Sequence, residues 1–265
     1  MNTSESPCEL QELRRHIAGI QHARPQEKEG CVSLGVEAID RSLGGGLARG
    51  KLHELFALEK EEEASAAGFA AMLAVRFGGP VVWLRTERAH AEGGGLYAPG
   101  LLDIGFDPTR LLVAVLPDAN AVLRAANDIA RCREVGIAIV ELWRRCPELG
   151  LTETRRLTLA AEGSGSTVLM LRVDAEPVPS AAQTRWSVQS AEAVPLDANA
   201  PGRPTLNLEL LRQRGRPAGG SWRVEWDRDQ ANFVEPATSA PLRGPVVPLP
   251  SYGSDQARPG LRRAG

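Results

Sequence analysis

Aromatic residues make up only 5% of this 265-residue chain, and there are only four cysteines. Cys8, Cys31, Cys132 and Cys146 form no CxxC pair and have no histidine cluster beside them, so neither a zinc site nor a disulfide framework organises the fold. Free buried thiols in a reducing compartment are expected. No apolar run approaches the roughly 20 residues of a membrane span, and the N-terminus has no apolar signal stretch. The expectation is a soluble, cytoplasmic protein. Charge of one sign is missing too: 31 Lys and Arg against 33 Asp and Glu give a net charge of −2, too little for a global field that draws nucleic acid or membrane. What remains is 43% apolar residues, enough for one sizeable α/β domain with appendages.

The patterning predicts three regions. In residues 1–30, Ser6-Pro7-Cys8-Glu9 has the form of a capping box, and Leu10, Leu13, Ile17 and Ile20 then fall on one helical stripe. This amphipathic helix docks either on its own core or on a partner. Residues 31–234 form the core, in which strands alternate with helices of 10–15 residues. Strands are expected at 51–58, 80–84, 111–116, 136–142 and 167–173, and helices at 36–43, 64–77, 119–133 and 152–162. A Gly-rich loop (92–100) and a short helix at Leu101 follow the second strand. That order implies a mostly parallel sheet flanked by helices. Residues 176–204 read as an irregular, Pro-, Ala- and Ser-rich loop with a candidate strand at 185–189, followed by an antiparallel hairpin of 206–212 with 222–226. From 235 to 265 the chain has six prolines, four arginines and little apolar content, the composition of a disordered tail.

A nucleotide-binding loop is the most informative absence. After Lys51–Leu58 a phosphate loop would need glycines, to bare its backbone N–H groups, and a lysine. The chain instead runs Ala57-Leu58-Glu59-Lys60-Glu61-Glu62-Glu63-Ala64-Ser65. Gly45-x₄-Gly50-Lys51 has the spacing of such a loop, but it follows a helix, opens a strand and carries Leu52 where Mg²⁺ needs a hydroxyl. It reads as a helix-to-strand turn. Glu59–Glu63 point in different directions and make no chelating set, so no metal site is expected. Glu87 and Glu141 stand at strand ends, where open α/β folds hold ligands, and read as relics or structural hydrogen-bonders. Arg212, Arg214 and Arg216 alternate, so they are expected to share one face, with Trp222 and Trp226 in matching parity on the return strand. At least one of these tryptophans is expected to offer a flat anchor for a partner or nucleic acid.

Three segments carry a resemblance: Ser33-Leu34-Gly35 through Leu43-Gly44-Gly45-Gly46-Leu47 to His53-Glu54; Leu96-Tyr97-Ala98-Pro99-Gly100-Leu101 with Gly105-Phe106-Asp107-Pro108; and Leu208–Arg212 with Arg214, Arg216 and Pro217, leading to Trp222 and Trp226. With these the chain resembles the RecA superfamily and, more narrowly, the ImuA family. The resemblance implies a RecA-like fold and places Glu63 at the lysine of the phosphate loop, Ala64 at its Mg²⁺-binding threonine, Glu87 near the water-activating glutamate and Glu141 at the Walker B aspartate. A glutamate at position 63 repels phosphates rather than clamping them. No catalytic residues and no cofactor are therefore expected.

The family resemblance further implies an accessory role in SOS-induced translesion synthesis. The partners it implies are ImuB, an inactive relative of Y-family polymerases, an error-prone copy of the polymerase α subunit, and RecA, with self-association or direct DNA contact as further options. The alternatives are a RecA-superfamily ATPase with a degenerate loop, or a SulA-like cell-division inhibitor.

Overall fold

The computed structural model describes residues 30–195, 200, 202–217 and 219–236. The expected N-terminal helix, with Leu10, Leu13, Ile17 and Ile20, lies outside the described residues, as does the tail from 237 onward. A short ladder opens the fold, β1 (Cys31–Val32) against β2 (Leu47–Ala48), and it encloses α1 (Glu37–Leu43). Asp40 fixes the entry to α1 by accepting from Ser33 Oγ (2.6 Å) and the backbone N–H of Leu34 (2.7 Å). Gly44, at φ 81°, ends the helix in the left-handed conformation that a side chain would strain.

The main sheet follows as β3 (Leu52–Ala57), β4 (Val81–Thr86), β5 (Leu111–Leu116), β6 (Ile137–Trp143), β7 (Thr167–Val173), β8 (Thr184–Ser190), β9 (Thr205–Gln213), β10 (Ser221–Asp227) and β11 (Asn232–Val234). Their order is β11-β10-β9-β8-β3-β7-β6-β4-β5. The six strands from β8 to β5 are parallel, and β9 to β11 continue antiparallel. This is the expected parallel sheet with its C-terminal hairpin. The sheet gains β11 as a further strand, too short for its alternation to stand out in the sequence. β8 is the candidate strand of the Pro-, Ala- and Ser-rich stretch, one residue longer at each end than expected.

Helices cover both faces. On one lie α1 and α2 (Glu63–Phe77), packed with Leu55, Ile139, Leu171 and Trp186. On the other lie α5 (Ala119–Ala130) and α6 (Leu151–Ser164), packed with Leu52, Val140, Val168 and Met170. Strands covered on both faces are apolar throughout, which is why β6 and β7 read as continuous runs. Two shorter helices, α3 (Glu87–Gly93) and α4 (Ala98–Asp103), sit between β4 and β5. α3 was not expected: its start is set by Thr86, whose hydroxyl accepts from the N–H of Ala89 at 3.0 Å.

The antiparallel strands share the α2-side core. Phe233 of β11 lies 5.4 Å from Phe69 of α2 and 4.8 Å from Trp226 of β10, ring centre to ring centre. The cysteines depart from expectation. Cys31 is exposed on the outer side of β1, and Cys132 and Cys146 are half-buried, all with free thiols. No described helix is long and apolar enough to cross a membrane.

Candidate functional site

The strand order reverses at β3: the chain leaves it for β4, three places away, later fills the gap with β6 and β7, and then places β8 on its other side. In such sheets the ligand site lies at the carboxyl ends of the strands next to that switch point. The residues there are 57–63, Glu87 and the end of β6.

After β3 the chain makes a three-residue 3₁₀ turn, Lys60–Glu62, and enters α2 directly at Glu63. The turn uses its own amides: the N–H of Glu62 donates to Glu59 O at 3.2 Å, and that of Glu63 to Lys60 O. Glu62 is committed to β8, accepting from Ser190 N (2.6 Å) and Ser190 Oγ (3.1 Å). Lys60 holds its ammonium 6.0 Å above the centre of the Trp143 ring. Glu63 is half-buried, and desolvation together with the charge of Glu141 pushes its carboxyl up, while Arg85 and Lys60 pull it back. The end of α3 closes over this point. A methyl placed on Gly93 would lie 2.7 Å from Glu63 Oε1 and 2.8 Å from the Trp143 ring.

Glu141 is buried and held by three donors. Its carboxylate accepts from Trp83 Nε1 (2.8 Å), Arg85 Nη2 (2.8 Å) and Trp143 Nε1 (2.7 Å). Arg85 also donates to the carbonyls of Gly94 (2.7 Å) and Ala89 (3.1 Å). Buried ion pairs of this kind are kept only when hydrogen bonds replace the lost water. Glu141 is thus a structural hydrogen-bonder, one of the two readings given above. Ala64 and Glu87 are solvent-exposed on the first turns of α2 and α3, and neither joins this cluster. Sequence reasoning missed Trp83, Arg85 and Trp143. The signal was present: Trp-x-Arg and Glu-x-Trp end two strands that turn out to be neighbours, with Arg85 opposite Glu141.

The turn reading of Gly45-x₄-Gly50-Lys51 agrees with the geometry, since Lys51 pairs with Glu162 at 2.9 Å. The hairpin residues do not assemble as expected. β9 ends at Gln213, so Arg214 and Arg216 belong to the turn that follows, where Gly215 has φ 77°, and strand alternation does not carry through to them. Arg212 reaches towards the α6 side, with Nη1 3.4 Å from the Ser180 carbonyl. The Arg216 guanidinium lies over Gly44 on the α1 side, where an added methyl would meet Nη2 at 2.2 Å. Arg214, whose N–H donates to Gln183 O at 2.8 Å, stands between them. The three arginines therefore do not share a face. Trp226 is a core residue, 1% exposed, with Nε1 donating to Ile104 O at 2.9 Å, and it is not a surface anchor. Trp222 is half-buried against Trp186, ring centres 6.1 Å apart.

No family model matches the chain. It is 33% identical over 207 residues to Protein ImuA of Caulobacter vibrioides, in each of two strains, with 71% of this chain and 81% of the relative covered. Among solved structures it superposes on the RadB recombinase with a TM-score of 0.52 at 16% identity, covering 77% of this chain and 99% of the recombinase. That likeness shows a RecA-like fold.

Proposed function

Because the chain belongs to the ImuA family and folds as a RecA-like sheet, we propose that it is a non-catalytic adaptor in SOS-induced, error-prone translesion DNA synthesis. It would work beside an inactive Y-family-polymerase-like protein of the ImuB type and support an error-prone polymerase. The observation that carries the non-catalytic part is the switch point itself. A 3₁₀ turn, Lys60–Glu62, leading into Glu63 stands where phosphates would be cradled, and Glu141 accepts from two indoles and a guanidinium. The negative charge of the turn opposes a triphosphate, and the Glu141 carboxylate is turned to its three donors rather than to a metal.

Calorimetry with ATP and Mg²⁺ on the full chain tests this part, and the expected result is no saturable heat. Micromolar affinity, or turnover above background, would return the protein to the ATPases. The adaptor part is tested by pull-down of the ImuB-type partner and by damage-induced mutation frequency. Retention of the partner is expected, with a lower damage-induced mutation frequency when the chain is absent; no retention would remove the adaptor role.

A further inference from the structure

The loops after β6 and β7 part on the α6 side of the sheet and leave a cleft of ≈ 620 Å³. Pro147, Leu149, Ala175 and Pro179 give it apolar walls, and Leu151 and Val178 stand at its lips. Those two side chains are 56% and 41% exposed, so each lip holds a large apolar group in water.

Arg172, near the end of β7, also lines the cleft and is itself only 2% exposed. Its Nη2 donates to Arg144 O at 3.0 Å, while Nε is buried with no hydrogen-bond partner among the described residues. The carboxylate buried on the same face, Glu54, sits nearer to Arg185: its Oε2 lies 2.8 Å from Arg185 Nε and accepts from Ser180 Oγ at 2.8 Å, while its charge also reaches Arg172. Two guanidiniums thus share one buried carboxylate.

Among the described residues no other neighbour supplies the missing charge. The Cys146 thiol is pushed up by burial and by its hydrogen bond to Glu148, and so stays neutral. Asp174 turns to Arg144, at 3.5 Å, and Glu176 is exposed at the rim. Arg145, on the same rim, adds positive charge, while the N-terminus of the 14-residue helix α6, which opens on the cleft at Gly150 and Leu151, is already capped by Glu153 accepting from the N–H of Gly150 at 3.2 Å. A buried guanidinium that has only a share of one carboxylate is costly, and proteins seldom keep one without use.

We propose that this cleft docks a peptide segment of a protein partner, one that carries a single Asp or Glu carboxylate between aliphatic side chains. The carboxylate takes the open side of the Arg172 guanidinium, and the aliphatic groups cover Leu151 and Val178. A small free acid would leave both lips wet. A nucleic-acid strand would bring its phosphates against Asp174 and Glu176, whereas one carboxylate aimed at the floor passes between them. The site lies across the sheet from Glu63 and Glu141, so it stands whether or not the chain binds ATP.

Fluorescence anisotropy on the full chain, with a labelled Gly-Leu-Asp-Leu-Gly peptide and its Asn counterpart, tests the proposal. Saturable binding is expected, at least tenfold weaker for the Asn peptide and at least tenfold weaker for Arg172→Met. Arg172→Met should melt at the same temperature as the parent or higher, because it removes a charge that is only partly compensated. Leu151→Ser with Val178→Ser should weaken both peptides and leave their ratio unchanged. Equal affinity for the two peptides, or no saturable binding, would overturn the idea. So would a large drop in melting temperature for Arg172→Met, which would make the arginine a structural strut. Salt-sensitive binding of labelled oligo-dT that disappears in Arg172→Met would assign the cleft to phosphates instead.

Discussion

Glu141 and Arg172 are two charged side chains buried near the carboxyl ends of neighbouring strands, on opposite faces of one sheet. Their surroundings differ in kind. Glu141 has three donors within 2.8 Å and a helix end closed over it. Arg172 has one carbonyl and an open cleft. The first charge is neutralised and walled in, and it holds β4, β6 and α3 together. The second is left wanting an anion. Burial alone does not separate scaffold from site; an ion pair in contact does, since Arg85 meets Glu141 at 2.8 Å and Arg172 meets a carbonyl.

The largest effect should come from the closed side. Glu141→Ala leaves a buried guanidinium and two indole N–H groups without an acceptor, and should cost about 3–5 kcal/mol in urea unfolding. Glu141→Gln keeps the shape and should cost less. A loss below about 1 kcal/mol for the alanine variant would break the contrast between the two faces.

Next is His53, on the α1 and α2 side. Its Nδ1 lies 2.7 Å from Thr184 Oγ1 and its Nε2 2.8 Å from Ala48 O. Trp186 Nε1 already donates to the same Thr184 hydroxyl oxygen, at 2.8 Å. The Thr184 proton is then free for Nδ1, and Nε2–H donates to Ala48. The ring is therefore held neutral, and burial lowers its pKa to about 4 from 6.5. The unfolded chain binds the proton first as pH falls, so this contribution is intact above pH 6.5 and is lost between 6.5 and about 4. The loss is of the order of 3 kcal/mol. His53→Gln should flatten stability across that window in pH-dependent chemical denaturation.

The smallest effect sharpens the reading of the phosphate-loop position. The Glu63 carboxyl is raised, so the folded chain holds its proton more tightly than the unfolded one, and stability falls as pH climbs from 4.5 through the raised value. Glu63→Gln should melt slightly higher than the parent at pH 7, and the difference should vanish below about pH 4. A lower melting temperature at pH 7 would mean that Glu63 has a use for its charge.

Much of the scaffold was legible in the sequence because local pattern decides it. β5 and β7 run from 111 to 116 and 167 to 173, as the apolar runs indicate. The parallel order followed from the alternation of strands and helices. What escaped depends on contacts between distant segments. Nothing local says that Trp83 and Trp143 will meet over Glu141, or that β9 will stop at Gln213 and leave Arg214 and Arg216 in the turn beyond it. Trp226 has the parity of an exposed anchor in an isolated hairpin, and only packing against Phe233 and Ile104 makes it core. Arg172 looks like any strand-end arginine until Glu54 is seen to sit nearer to Arg185.

The contact between Phe69 and Phe233 has a kinetic consequence. One ring belongs to the first long helix of the core and the other to the last strand of the sheet. The α2-side core therefore stays open until nearly the whole described chain is in place. Native contacts so far apart in sequence have to pay loop-closure entropy before they are rewarded. A chain ending before Asn232 would leave Phe69 and Trp226 facing water, and with them an apolar surface prone to aggregation. The parallel layers and the antiparallel extension should therefore appear and disappear in one transition, as a single cooperative unit.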